Sequence, residues 1–197
     1  MSKQDTATRI LDAARACLLA DGFAALTTRK VAQHAGVPLS QIHYHFGSRE
    51  DLILSLLRKE NEALVGRQSE MFAREIPVWR KWEIACDYYD EDLASGYVRV
   101  LQEMTAAGWS SEPLGKEMAE IYREWNSVLI DLARETDEKG LLPPLFTVEE
   151  VAALVASAFL GAEALILLDM EGDGMPLRSA LRKVGDLIRI AEEKDEG

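Results

Sequence analysis

Apolar side chains recur along this chain at intervals of three and four residues, the spacing that gathers them on one face of an α-helix. Over residues 5–20 the stripe is Ile10, Leu11, Ala14, Cys17 and Leu18. Asp21-Gly22 closes it, with Gly22 able to take the left-handed conformation beyond a helix end. Thr27 is placed to cap a second, short helix that runs to Ala35 and stops at Gly36. Pro38 fits the first position of a third helix, where its missing N–H costs nothing, and Ile42 and Phe46 form its apolar anchor. Ser48 caps a fourth, over about residues 48–66, with Glu50 and Asp51 in its first turn and a stripe of Leu52, Ile53, Leu56, Leu57 and Leu64. Further helices are predicted near 77–92, 95–108, 112–138, 147–168 and 176–192. Thr147 and Glu150 have the spacing of a capping box. No run alternates with period two for more than a few residues. The predicted fold class is all-α, with about nine helices.

Composition agrees with a packed protein. Of 197 residues, 48% are hydrophobic and 28% charged, enough to bury a core. Cys17 and Cys86 each lie in an apolar helical pattern and read as small buried hydrophobes of a reducing compartment. The first ten residues are polar and lack the apolar region of a signal peptide, so the expected location is cytoplasmic. The net charge of −12 opposes binding to phosphates, but its distribution is uneven. Residues 1–46 hold five Lys/Arg against three Asp/Glu, and the remainder 17 against 31. An acidic body thus carries a mildly basic N-terminal segment.

Residues 151–168 are nearly apolar, with Glu163 the only charge, and just reach the length of a marginal membrane span. They are rich in Ala, Ser and Gly and lack flanking Lys/Arg. The better reading is a helix buried against its own core on one face and a partner subunit on another, with no membrane involved.

The informative segment is Thr27 to Asp51: a helix of about eight residues, a tight turn at Gly36-Val37, and a second short helix. This is a helix-turn-helix pattern, whose second helix enters the major groove of DNA. Val31, Ala32, Val37, Ile42 and Phe46 would lock the two helices together. Leu39, Ser40, Gln41, His43, Tyr44 and His45 are left as large or hydrogen-bonding outward positions. His43 and His45 stand about 200° apart around a helix, the wrong geometry for one metal ion, and no metal or cofactor is expected.

The run Gly36-Val37, Ile42, Tyr44, His45-Phe46, Ser48, Arg49, Glu50-Asp51, Leu52, with Gly22-Phe23 upstream, resembles the DNA-binding signature of the tetracycline-repressor (TetR) family of transcriptional regulators. The resemblance covers about the first 52 residues. It departs from the pattern at His43, where Tyr is common, and at Gly47, where a Lys often adds a phosphate contact. It implies a three-helix DNA-binding domain over residues 1–52, and a helical effector-binding and dimerisation domain over 53–197, joined by the fourth helix. It further implies phosphate contacts from Thr28, Tyr44, His45 and Arg49, with Arg29 a further candidate. Pro38, Leu39, Ser40, Gln41 and His43 would face base edges, where Gln41 can offer paired donor and acceptor groups to adenine.

All four tryptophans and four of the five tyrosines fall between residues 79 and 125. In the family resembled, helices of this region enclose an effector pocket. Trp82, Cys86, Tyr97, Met104, Trp109, Tyr122 and Trp125 are the candidate lining, suited to a small hydrophobic or aromatic molecule. The alternative is an ordinary bundle core. Glu103 and Glu163 are either cation selectors or solvated or Arg-paired carboxylates. Dimerisation would rest on the last two helices, through Val155, Phe159, Ala162, Ile166, Leu177, Leu181, Val184 and Ile188. A second stripe there is Ala156, Ser157, Leu160, Gly161 and Ala164. Asp169 to Gly174 begins like a calcium loop, but Ala180 stands where a bidentate Glu is required.

The expectation is therefore a ligand-responsive regulator, a repressor that binds a palindromic DNA operator as a homodimer and is released by its effector. No nucleophile, base and orienting group stand at a known spacing, so an enzyme is not expected. The alternative is a helical ligand-binding or interaction module whose helix-turn-helix no longer binds DNA specifically.

Overall fold

The computed structural model describes residues 3–195. They form α1 (Lys3–Asp21), α2 (Thr28–Ala35), α3 (Leu39–Phe46), α4 (Arg49–Phe72), α5 (Val78–Ser95), α6 (Tyr97–Gly108), α7 (Glu112–Glu138), α8 (Val148–Leu167) and α9 (Leu177–Asp195). Apart from one isolated bridge between Gly172 and Met175, there is no β-pairing among the described residues. The helix ends obey local chemistry. Thr27 accepts the Lys30 N–H at 3.2 Å, Gly36 closes α2 in the left-handed region at φ 62°, and Thr147 with Glu150 completes a capping box at α8. Pro38 precedes α3 as an extended cap residue instead of opening the helix, which starts at Leu39. Helix α4 continues to Phe72, beyond the expected stop near residue 66. The helix carries Gly66 within it, the next proline is Pro77, and Met71 and Phe72 are buried.

The described residues divide into two compact units. One holds the residues up to Leu64 together with Gly96–Ile121. The other holds Val65–Ser95 and the residues from Tyr122 onward.

In the first unit, α1 packs on α2 and α2 on α3 over Ile10, Ala14, Leu18, Leu26, Val31 and Ile42, all buried. Arg9 donates to the Ala35 carbonyl at 2.6 Å, satisfying an end of α2 that has no intrahelical partner. Helix α6 belongs to this unit because polar groups as well as Tyr97, Leu101 and Met104 hold it there. Arg99 donates to the Leu18 and Leu19 carbonyls at the end of α1, and to Glu103 at 3.0 Å. Glu103 in turn accepts the Phe23 N–H. Helices α6 and α7 meet at two glycines: a Cβ on Gly115 would lie 2.7 Å from the Gly108 carbonyl oxygen. Arg58 of α4 forks onto Glu117 of α7 at 2.7 and 2.6 Å.

The second unit has two apolar clusters. Trp82, Cys86, Tyr89, Phe159, Ala162 and Leu181 form one; Met71, Phe72, Val78, Val128 and Leu132 form the other. Helices α5 and α9 run so close that a Cβ on Gly185 would stand 3.0 Å from Trp82. Glu192 of α9 caps α5 by accepting the Val78 and Trp79 N–H groups, both at 3.1 Å. Lys81 is only 3% exposed, yet its ammonium is satisfied by the Phe72 carbonyl and by Glu135.

This packing takes up part of the expected dimer stripe. Phe159, Ala162 and Leu181 are buried inside the subunit, and Val155, Ile166, Leu177, Val184 and Ile188 pack against the same cluster. Those five side chains are half-buried and keep part of their surface outward. The outward face of α8 carries Leu154, Ser157, Ala158, Gly161, Ala164 and Leu168. Three members of the second expected stripe, Ser157, Gly161 and Ala164, lie on it.

Candidate nucleic-acid interface

The helix-turn-helix is held from behind, which leaves one side of α3 outward. Ile42 is its one buried residue, while Pro38, Leu39, Ser40, His43 and Tyr44 are exposed and Gln41, His45 and Phe46 half-buried. Tyr44 is 65% exposed, and its ring meets that of His45 edge-on at 5.1 Å. His43 Nδ1 lies 2.9 Å from the Gly47 carbonyl. A carbonyl only accepts, so Nδ1 is the donor of this bond.

The candidate phosphate ligands differ in how free they are. Arg29 is exposed and Thr28 half-buried at the start of α2. Arg49 is committed on two sides: Nε donates to the Leu26 carbonyl and Nη2 to the Phe23 carbonyl, each at 2.7 Å. Its guanidinium also lies over the Phe23 ring at 4.6 Å. Nη1 stands 3.9 Å from Glu50. The side chain therefore braces the α1–α2 turn. Gly47, at φ 79°, lets the chain turn from α3 into α4, where Ser48 accepts the Asp51 N–H at 3.0 Å.

The expected effector residues divide between the two units. Trp82, Cys86 and Trp125 share the first cluster of the second unit. Trp82 donates to the Leu181 carbonyl at 2.8 Å and Trp125 to Gln68 at 3.0 Å. Tyr122 is half-buried in that unit, whereas Tyr97 and Met104 are buried in the first. Trp109 is 84% exposed, because it stands past the end of α6, where the chain has already turned away from the core. Burial pushes the Cys86 thiol up to about 11, against partial relief from Arg182, so it stays protonated like a core residue. Glu103 is Arg-paired, as one reading of the sequence had it. Glu163 is buried, and its charge adds to the burial that raises the Tyr89 hydroxyl. Sequence reasoning missed Arg99 entirely. An arginine two turns from any motif carries no local signal, and only the approach of α6 to α1 makes it a helix cap.

Among the described residues no group of three or more His, Cys, Asp or Glu side chains is placed to hold a metal ion. One helix, α8, is long and apolar enough to cross a membrane by length and composition.

Comparison with known proteins converges on the same segment. Residues 10–56 match the model for bacterial regulatory proteins of the tetR family. The chain is 27% identical over 144 residues to the HTH-type transcriptional regulator LmrA of Bacillus subtilis, spanning 69% of this chain and 75% of that protein. Its fold is similar to that of the fatty acid degradation regulator FadR of Bacillus halodurans, with a TM-score of 0.77, 21% identity, and 93% and 94% of the two chains covered. It is also similar to FadR of Bacillus subtilis in complex with stearoyl-CoA, with a TM-score of 0.72, 19% identity, and 92% and 96% covered. Residues 10–56 thus match the tetR family of bacterial regulatory proteins, and the described chain shares the all-α fold of these solved structures.

Proposed function

We propose that this protein is a repressor that binds a palindromic operator as a homodimer and is released by a small hydrophobic or aromatic effector. The observation that carries the DNA reading is the outward side of α3, where Leu39, Ser40, His43 and Tyr44 stand exposed around the single buried Ile42. Residues 1–52 act as the reading domain. Pro38, Leu39, Ser40, Gln41 and His43 face base edges, and Thr28, Arg29, Tyr44, His45 and the Nη1 edge of Arg49 take phosphates. Residues 53–197 bind the effector and dimerise, with the outward stripe of α8 from Leu154 to Leu168 as the dimer face. A dimer supplies two recognition helices for two half-sites. The stearoyl-CoA held by the Bacillus subtilis FadR structure supports a hydrophobic effector for this fold. Release requires that the effector bind more tightly to the conformation that does not fit DNA; equal affinity would shift nothing.

The test is selection of random-sequence duplex DNA by the purified protein at fixed salt, beside a Tyr44→Ala variant. A palindrome enriched by the wild type and lost in the variant is the expected result. No enrichment at low salt from an intact dimer would sink the reading, and the interaction-module alternative would take its place.

A further inference from the structure

A cleft of about 350 Å³ opens inside the first unit, between the first turns of α4 and the turn from α6 to α7. Its size is that of a pocket for a small molecule. The floor is apolar: Phe23, Ile53, Leu54 and Leu114 line it. Arg49 and Glu50 of α4 and Ser110 and Ser111 of the α6–α7 turn supply its polar lining.

The charged lining decides the ligand class. Arg49 is fixed, its Nε and Nη2 held by two backbone carbonyls, so its charge stays at the cleft whatever binds. Glu50 is 70% exposed and comes no closer than 3.9 Å to Arg49 Nη1, so it can turn into water at little cost. A cationic ligand would face a positive charge that cannot retreat. An anionic one would displace a loosely held carboxylate and gain a charge-assisted hydrogen bond in a partly apolar surround.

We propose that this cleft is a binding site for a compact aromatic carboxylate, its ring on the Phe23, Leu54 and Leu114 surface and its anion on Arg49 Nη1. The site is built from the first unit alone and touches the group that braces the α1–α2 turn. An anion there competes with a DNA phosphate for Nη1 of Arg49, so occupancy lowers DNA affinity. That consequence rests on the regulator reading; the binding itself does not.

The experiment is amide NMR on the full-length protein without DNA, titrated with 2-naphthylacetate and, separately, with the neutral 2-naphthylethanol. Shifts centred on Leu54, Ala107, Ser110 and Ser111 are expected, with the acid binding roughly tenfold more tightly than the alcohol. Leu54→Trp, which fills the cleft, and Ala107→Leu, which narrows it, should each weaken the acid about tenfold or more. Thermal melts show which variant is folded, and the wild-type map decides if neither is. Shifts centred on the Trp82 cluster, equal affinity for acid and alcohol, unchanged affinity in a folded variant, or no binding of the acid would each overturn the proposal. Operator selection by the same preparation without probe reports on the regulator reading separately.

Discussion

Glu103 of α6 accepts the backbone N–H of Phe23 at 2.6 Å, and so joins a helix from the middle of the chain to the turn that precedes the DNA-reading helices. The same carboxylate pairs with Arg99, which covers the last carbonyls of α1. Phe23 is then held at its N–H by Glu103 and at its carbonyl by Arg49.

Removing that acceptor should loosen the turn. Glu103→Ala leaves the Phe23 N–H without its partner in a half-buried position, and a loss of about 1–3 kcal/mol in urea unfolding is expected. Glu103→Gln keeps an acceptor and should cost less. Gly22→Ala should also destabilise by about 1–3 kcal/mol. Gly22 sits at φ 79°, and a Cβ there would press within 3.1 Å of the Glu103 carboxylate. Equal stability of Glu103→Ala and wild type would show that the bond contributes nothing.

The α6–α7 crossing depends on the absence of a side chain. Gly115→Ala would put a Cβ 2.7 Å from the Gly108 carbonyl oxygen, a backbone atom that moves only if the helix moves. A drop of about 1–3 kcal/mol is expected despite the better helix propensity of alanine. A higher melting temperature would mean that the helices separate freely at this point.

Lys81 and Glu135 should make the second unit acid-sensitive. Burial raises the Glu135 pKa, but hydrogen bonds and charge from Lys81 and Lys139 outweigh it and leave the pKa lowered. A lowered folded pKa means stability that is present above the ordinary Glu value of about 4.3 and lost as pH falls through the folded value. Urea midpoints measured from pH 7 to pH 3 should therefore fall more steeply for the wild type than for Lys81→Met. Parallel curves would remove the pair as a source of acid sensitivity.

Two substitutions one helical face apart separate the core of α8 from its proposed dimer surface. Phe159→Ala opens a cavity against Trp82 and Tyr89, whose rings lie 5.7 and 5.1 Å away, and should cost about 3–5 kcal/mol of stability. At Gly161 a Cβ meets nothing within 4 Å, so Gly161→Glu has room in the subunit and should yield a folded monomer in sedimentation. A Gly161→Glu dimer of unchanged mass would move the interface elsewhere.

The helices and their ends were readable because their causes are local. Apolar spacing, Thr27 and Thr147 as caps, and Gly22 and Gly36 as stops act within one or two turns. The recognition helix was readable for the same reason, since the signature from Gly36 to Leu52 lies in one continuous stretch.

What stayed open was the sorting of faces. In α8 nearly every position is apolar, so the periodicity allows two stripes, and the sequence offered Phe159, Ala162 and Ile166 to a partner as readily as to the core. The approach of α5 and α9, where Gly185 admits Trp82, decided that Phe159 and Ala162 turn inward. The aromatic residues from 79 to 125 likewise looked like one wall, yet the break at Gly96 sends Tyr97 and Met104 into the other unit and leaves Trp109 in water. Helix identity, most helix ends and the helix-turn-helix pattern were thus determined by the sequence alone, through interactions a few residues apart. Which apolar face is core, and that Arg99, Glu103 and Arg49 clamp Phe23, was decided only by tertiary structure, because those contacts join residues tens of positions apart.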